Sequence, residues 1–72
     1  MEVMRDSELT KRFTYHAPKG DQQQRYVELR NKGKELAELI AKHSSPSREQ
    51  SLAITKLEEA IMWANAGIAR NE

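Results

Sequence analysis

The sequence predicts an all-α protein, and three observations lead there. It has no run of alternating β-branched residues, the pattern of a half-buried strand. Two long stretches place apolar residues at alternating spacings of three and four, the period of a packed helix. Proline and glycine fall between those stretches and not inside them, apart from Gly33 and Gly67. The predicted architecture is a short N-terminal segment or helix over residues 1–20 and an antiparallel αα-hairpin, the whole being one helical domain of 72 residues that assembles into a homo-oligomer.

Taking the elements in order, Ala17-Pro18-Lys19-Gly20 closes the N-terminal segment. The first long helix occupies residues 21–43, with Asp21 a good N-cap after Gly20. Its seam reads Tyr26, Leu29, Gly33, Leu36 and Ile40. A glycine in a helix interior costs about 1 kcal/mol relative to alanine. On the seam, Gly33 is either a tolerated weak spot or the place where a backbone or ligand comes close. The second long helix spans residues 47–71. Ser47-Arg48-Glu49-Gln50 fits a capping box, and Ser45 with Pro46 as first helical residue is an alternative start. Its seam reads Ile54, Leu57, Ile61, Ala64 and Ile68.

From Ala60 to Ala69 the only polar side chain is Asn65. A helix apolar all round must be covered all round, and one partner helix cannot do that. Small residues at Ala60, Ala64, Ala66 and Gly67 let neighbouring backbones approach. This helix is therefore expected at the centre of an oligomer, with Ile61, Met62 and Trp63 serving packing and assembly.

Composition narrows the chemistry. There is no cysteine, so disulfides, thiolate metal sites and cysteine nucleophiles are excluded together. His16 and His43 have no ligand spacing around them, and neither a metal nor a cofactor is expected. Twelve basic residues against 11 acidic ones give a net charge of +1, unlike a binder of long nucleic acid. No apolar run approaches the roughly 20 residues of a membrane span. Glu58 and Glu59 diverge by about 100° on a helix and form no acid–base dyad. Glu35 and Glu38 are expected to pair with Lys34 and Lys42 on a solvated face.

Binding has more support than catalysis. Phe13, Tyr15 and His16 put three rings beside Lys19 in an irregular stretch next to a helix N-terminus. Such rings stack on nucleobases, and helix amides with cations hold phosphates. The first long helix adds Arg25, Arg30, Lys32 and Lys34. The bland alternative tucks Phe13 and Tyr15 into the hairpin and leaves the cations solvated. Arg70 follows the most apolar turn of the chain. It either offsets a helix dipole or, near a symmetry axis, gathers with its copies around an anion.

At this point the residues resemble a known family. Phe13-x-Tyr15-His16-x-Pro18 is followed by the Leu36-Ala37-x-x-Ile40 turn. Then come Ser47-Arg48-Glu49-x-Ser51-Leu52-Ala53-x-Thr55-Lys56-Leu57-Glu58-Glu59-Ala60 and Met62-Trp63-Ala64-Asn65-Ala66-x-Ile68-Ala69-Arg70-Asn71. Together they look like the phage anti-CBASS cyclic-oligonucleotide sponges, and Met1–Thr10 has no match in that pattern. The resemblance implies a small helical protein assembled as a hexamer in the cytoplasm of an infected bacterium. It implies sequestration, without cleavage, of cyclic dinucleotide messengers such as 3′,3′-cyclic GMP-AMP, in pockets between protomers. It gives Tyr15 the role of stacking on a base and Arg30 that of holding phosphate, where relatives carry lysine. His16, Lys19, Lys32 and Lys34 are further candidates, and a small alignment slip would move the phosphate role to Lys32 or Lys34. It also implies a cyclic trinucleotide pocket at Arg70. Two other function classes remain: a hairpin that inhibits a host protein, and a small phosphodiesterase.

Overall fold

The computed structural model describes residues 5–72. They form α1 (Asp6–Phe13), α2 (Gln22–His43) and α3 (Arg48–Asn71), with no strand among the described residues. α2 and α3 make an antiparallel hairpin, and α1 lies at its open end.

Each helix end has a local cause. α1 carries Asp6 and Glu8 in its first turn and Lys11 and Arg12 in its last, matching charge to the helix dipole at both ends. Beyond Phe13 the chain runs irregularly through Pro18, which bars the helical conformation at Ala17. Gly20 then turns the chain with φ +59°, a left-handed value that a side chain would strain.

Asp21 occupies the cap position of α2, but its carboxylate caps nothing. Its backbone (φ −90°, ψ 9°) is not the extended conformation that aims a cap at the free amides, and Arg25 Nε draws the carboxylate to 3.2 Å. Gln22 ties this end down instead. Its Oε1 accepts from the Lys19 amide at 3.1 Å, and its Nε2 donates to the Ile68 carbonyl at 3.4 Å. Gln22 is the one buried side chain among the described residues.

At the closed end, half of the predicted capping box forms. The Gln50 amide donates to Ser47 Oγ at 3.1 Å. The Gln50 side chain does not reach back to Ser47; it donates to the Ser44 carbonyl at 3.0 Å and to Ser44 Oγ at 3.1 Å. The last carbonyls of α2 are acceptors left over by the helix, so a nearby amide side chain finds them first. One residue thus fastens the start of α3 to the end of α2.

The seam differs from the predicted one at two positions. In α2 it runs through Tyr26, Leu29, Gly33, Ala37 and Ile40, and Leu36 stands exposed. In α3 it runs through Ile54, Leu57, Ile61, Asn65 and Ile68, and Ala64 is exposed. Gly33 explains the first change. Ile61 lies so close that a Cβ on Gly33 would sit 3.0 Å from its Cγ1. With the helices this near, the small Ala37 takes the inner seat and Leu36 is turned to the flank. The close approach that Gly33 invites is therefore made by the partner helix. Asn65 reaches the seam at a cost, because its Oδ1 is buried with no hydrogen-bond partner.

The chain alone is a thin slab of 46 × 37 × 13 Å. Its radius of gyration is 15.8 Å, against about 11 Å for a compact domain of this length. It exposes 6259 Å², where about 4,600 Å² is usual for a folded monomer of this mass. Among the described residues no apolar side chain is fully buried, and Met62 and Trp63 are 63% and 64% exposed. No helix among them is long and apolar enough to cross a membrane.

Candidate functional site

Two cationic regions and one aromatic region emerge from this frame. The first is a groove of about 480 Å³ between α2 and α3. Arg30 and Lys34, one turn apart, line its α2 wall; Thr55, Glu58 and Met62 line its α3 wall; Gly33, Ala37, Ile61 and Asn65 lie deeper. Among the described residues neither cation is ion-paired. Lys32 lies about 200° round the helix from Arg30. It faces the other flank and pairs with Glu35 at 3.2 Å. Glu35 is thus engaged from one turn before it, not by Lys34, and Lys34 is left facing the groove.

The aromatic segment sits at the open end of the hairpin. Phe13 and Tyr15 are 86% and 84% exposed, so they do not tuck into the hairpin. His16 is half-buried, and its Nε2 lies 2.9 Å from the Lys11 carbonyl. A carbonyl only accepts, so Nε2 carries the proton and the ring braces the exit of α1. Lys19 has its amide bound to Gln22 and its side chain exposed. Tyr15 does not line the groove of Arg30. Along α2, Arg30 is eight residues past Gln22, about 12 Å of helix.

The second cationic region joins α1 to the end of α3. Arg70 is half-buried there and shares a hollow of about 280 Å³ with Glu8, Lys11, Arg12 and Asn71. Lys11 Nζ donates to Asn71 Oδ1 at 2.8 Å, and Asn71 Nδ2 donates to the Gly67 carbonyl at 3.0 Å. Beside it, Arg25 makes two bonds to the Glu72 carboxylate, at 2.8 and 3.3 Å. Those bonds raise the Arg25 pKa and hold the Glu72 pKa below its ordinary value. Arg25 is spoken for by Glu72 and Asp21 and is not a free cation.

Sequence reasoning brought Arg30 and Lys34 forward and the structure sets them together. It weighed Glu58 only as an acid–base partner and Asn65 only as a polar break in an apolar stretch, and assigned neither to this groove, though residues 54, 58, 61 and 65 already share a helical face. It also passed over Lys11 and Arg12, whose only sequence signal is their place in the last turn before an aromatic. Among the described residues no group of three or more histidines or carboxylates is arranged to hold a metal ion.

No curated protein and no solved structure matches the chain significantly. The family model described as Acb2/Tad1, hairpin domain, matches residues 5–69 of the 72. The match takes in α1, which the sequence pattern had left without a counterpart, and it ends one residue before Arg70. It covers α2, α3 as far as Ala69, and the aromatic segment between α1 and α2. The chain therefore belongs to the Acb2/Tad1 hairpin-domain family, the family of the anti-CBASS sponges.

Proposed function

We propose that this protein sequesters cyclic dinucleotides, 3′,3′-cyclic GMP-AMP among them, and so withholds the messenger of CBASS defence in the cytoplasm of a phage-infected bacterium. The observation that carries the reading is the pairing of two features in a member of this family. Tyr15, 84% exposed, stands in the aromatic segment, and Arg30 and Lys34, unpaired among the described residues, line the groove between α2 and α3. Tyr15 offers a ring face to a base, a contact worth about 1–3 kcal/mol. Arg30 offers a planar fork that matches two phosphate oxygens, where a lysine would supply a point charge. Lys34, one turn on, adds such a charge. His16 and Lys19 frame the aromatic segment; Lys32 faces away from the Arg30 groove.

Tyr15 does not line the groove of Arg30, so a pocket using both is best built from different protomers. That fits a homo-oligomer, a hexamer by family analogy. Assembly would also cover the flank formed by Leu36 and Leu39 of α2 with Ala53, Ala60 and Ala64 of α3. Those residues lie on the side away from Arg30 and Met62, and all are exposed in the single chain. A ligand enclosed between subunits leaves slowly, and slow release with stoichiometric protein lowers free messenger. Neither a catalytic group nor a cofactor is needed. Arg70 is the residue to which a cyclic trinucleotide activity would attach.

Calorimetric titration of 3′,3′-cyclic GMP-AMP into wild-type, Tyr15→Ala and Arg30→Ala proteins tests the site. Each variant should remain assembled and bind at least about tenfold more weakly, the loss of one stacking or charge-assisted contact. Undiminished binding by either variant would remove that residue from the site.

A further inference from the structure

The groove of Arg30 holds a charge that attraction for phosphate does not explain. Glu58 lines it together with Arg30 and Lys34. Resting on the dinucleotide reading of that groove, we propose that Glu58 is a specificity-determining residue. It admits a phosphodiester, which carries one negative charge, and turns away a phosphomonoester, which carries about two. The ligands so excluded are nucleotides that end in a free phosphate, among them the linear form of the same dinucleotide.

The surroundings of Glu58 set it apart from the other carboxylates of the hairpin. Its neighbours three and four residues away on α3 are Ile54, Thr55, Ile61 and Met62, so its own helix offers it no cation. The adjacent Glu59 pairs with Lys56 at 3.7 Å, and on α2 Glu35 pairs with Lys32 at 3.2 Å. Among the described residues Glu58 makes no ion pair, and Arg30 and Lys34 make none either. The cations that share a surface with Glu58 are those of the opposite wall, across a channel of about 480 Å³.

Two cations against one carboxylate leave this groove a single positive charge. A phosphodiester matches it. A terminal phosphate, at about −1.5 to −2 near neutral pH, meets Glu58 with charge left over. Glu58 therefore weakens both kinds of ligand but weakens the more anionic one further, and specificity is that difference. The floor between the walls is built by Gly33, Ala37 and Ile61. A channel with such low-dielectric walls lets its charges act at longer range than they would on an open surface. A groove built for attraction alone would carry no carboxylate. A sponge needs one, because any nucleotide with a terminal phosphate would otherwise compete for the sites that hold the messenger.

The test measures binding of 3′,3′-cyclic GMP-AMP by calorimetry, and of linear 5′-phosphoguanylyl-adenosine by competition against it. The two ligands share their bases and differ by one opened phosphodiester. Glu58 is exposed, so Glu58→Gln removes the charge and leaves the packing intact. This variant should bind the cyclic ligand at least as tightly as wild type and gain more for the linear one. The ratio of the two dissociation constants should narrow at least about threefold, and less so at about 1 M salt, where screening is short-ranged. Glu28→Gln makes the same change of charge about 200° round α2 from Arg30 and should leave the ratio unchanged. Sedimentation velocity verifies that both variants assemble as wild type does. Four results would overturn the proposal. They are an unchanged ratio in Glu58→Gln, with no linear binding to either protein counted as unchanged; equal narrowing in Glu28→Gln; narrowing undiminished by salt; and weaker binding of the cyclic ligand by Glu58→Gln, which would make Glu58 a direct contact. Wild type that fails to bind the cyclic ligand overturns the dinucleotide reading itself, a result distinct from all four.

Discussion

Gly33 shows how one missing methyl sets the geometry around it. Its Cα faces Ile61, and an added Cβ would meet Ile61 Cγ1 at 3.0 Å and Cδ1 at 3.2 Å. Alanine there would gain about 1 kcal/mol of helix propensity but incur an overpacking cost of about 1–3 kcal/mol. The packing term is the larger, so Gly33→Ala should lower stability in urea by about 1 kcal/mol. In an Ile61→Ala background the same substitution should be neutral or stabilising, and the double-mutant cycle measures that coupling. Equal effects in both backgrounds would mean that the contact is not what selects glycine. The sequence made this residue conspicuous through its position on an apolar seam. It did not distinguish an approaching backbone from a side chain or a ligand, because spacing says which face a residue occupies and nothing of what arrives there.

The helices were legible because their punctuation and periodicity agree; the details of their ends were not. Ser47 does cap α3, and Ser47→Ala should cost about 1 kcal/mol of stability, read as a lower denaturant midpoint at unchanged slope. Asp21 and Gln50 depart from their expected roles for one reason. A capping side chain has alternatives, and a cation one turn on or a free carbonyl across a turn wins when it is closer. The seam shifted by one residue at Leu36/Ala37 and Ala64/Asn65 because three- and four-residue steps both return to the same face. Only the depth of the opposing side chain chooses between them.

Arg25 and Glu72 tie the start of α2 to the end of α3, and this tie is pH-dependent. Glu72 has its folded pKa lowered from 4.5, chiefly by the Arg25 hydrogen bond. Its contribution is therefore fully present above the unfolded pKa and is lost as pH falls through the lower folded value. Thermal melts at about pH 6 and about pH 3 should show a smaller acid-side drop for Glu72→Gln than for wild type. Identical drops would show that the pair contributes nothing to folding.

At the scale of the molecule, the informative fact is that among the described residues of one chain no apolar side chain is fully buried. A slab 13 Å thick is little deeper than a single helix with its side chains, about 10–12 Å across. The sequence announced this in the Ala60–Ala69 stretch, where polar residues run out, and the exposed Met62 and Trp63 are its structural counterpart. If the Leu36–Leu39 flank is the one covered by other copies, Leu39→Glu should sediment as a monomer, since a buried unpaired carboxylate is costly. An unchanged sedimentation coefficient would place the interface elsewhere. The candidate site was legible in its residue types but not as a site, because Tyr15 does not line the groove of Arg30 within one chain. No periodicity in a single sequence reports which residues of two copies come together.

The most direct test of the central claim is sedimentation velocity of the purified protein with 3′,3′-cyclic GMP-AMP, followed at the nucleotide's absorbance, with chromatography of the nucleotide after heat release. Sequestration predicts that the nucleotide travels with an oligomer, at less than one per chain, and is recovered intact. Nucleotide left at the meniscus beside a sedimenting oligomer would contradict it and bring forward a hairpin that acts on a host protein. Cleaved nucleotide would contradict it in favour of a phosphodiesterase.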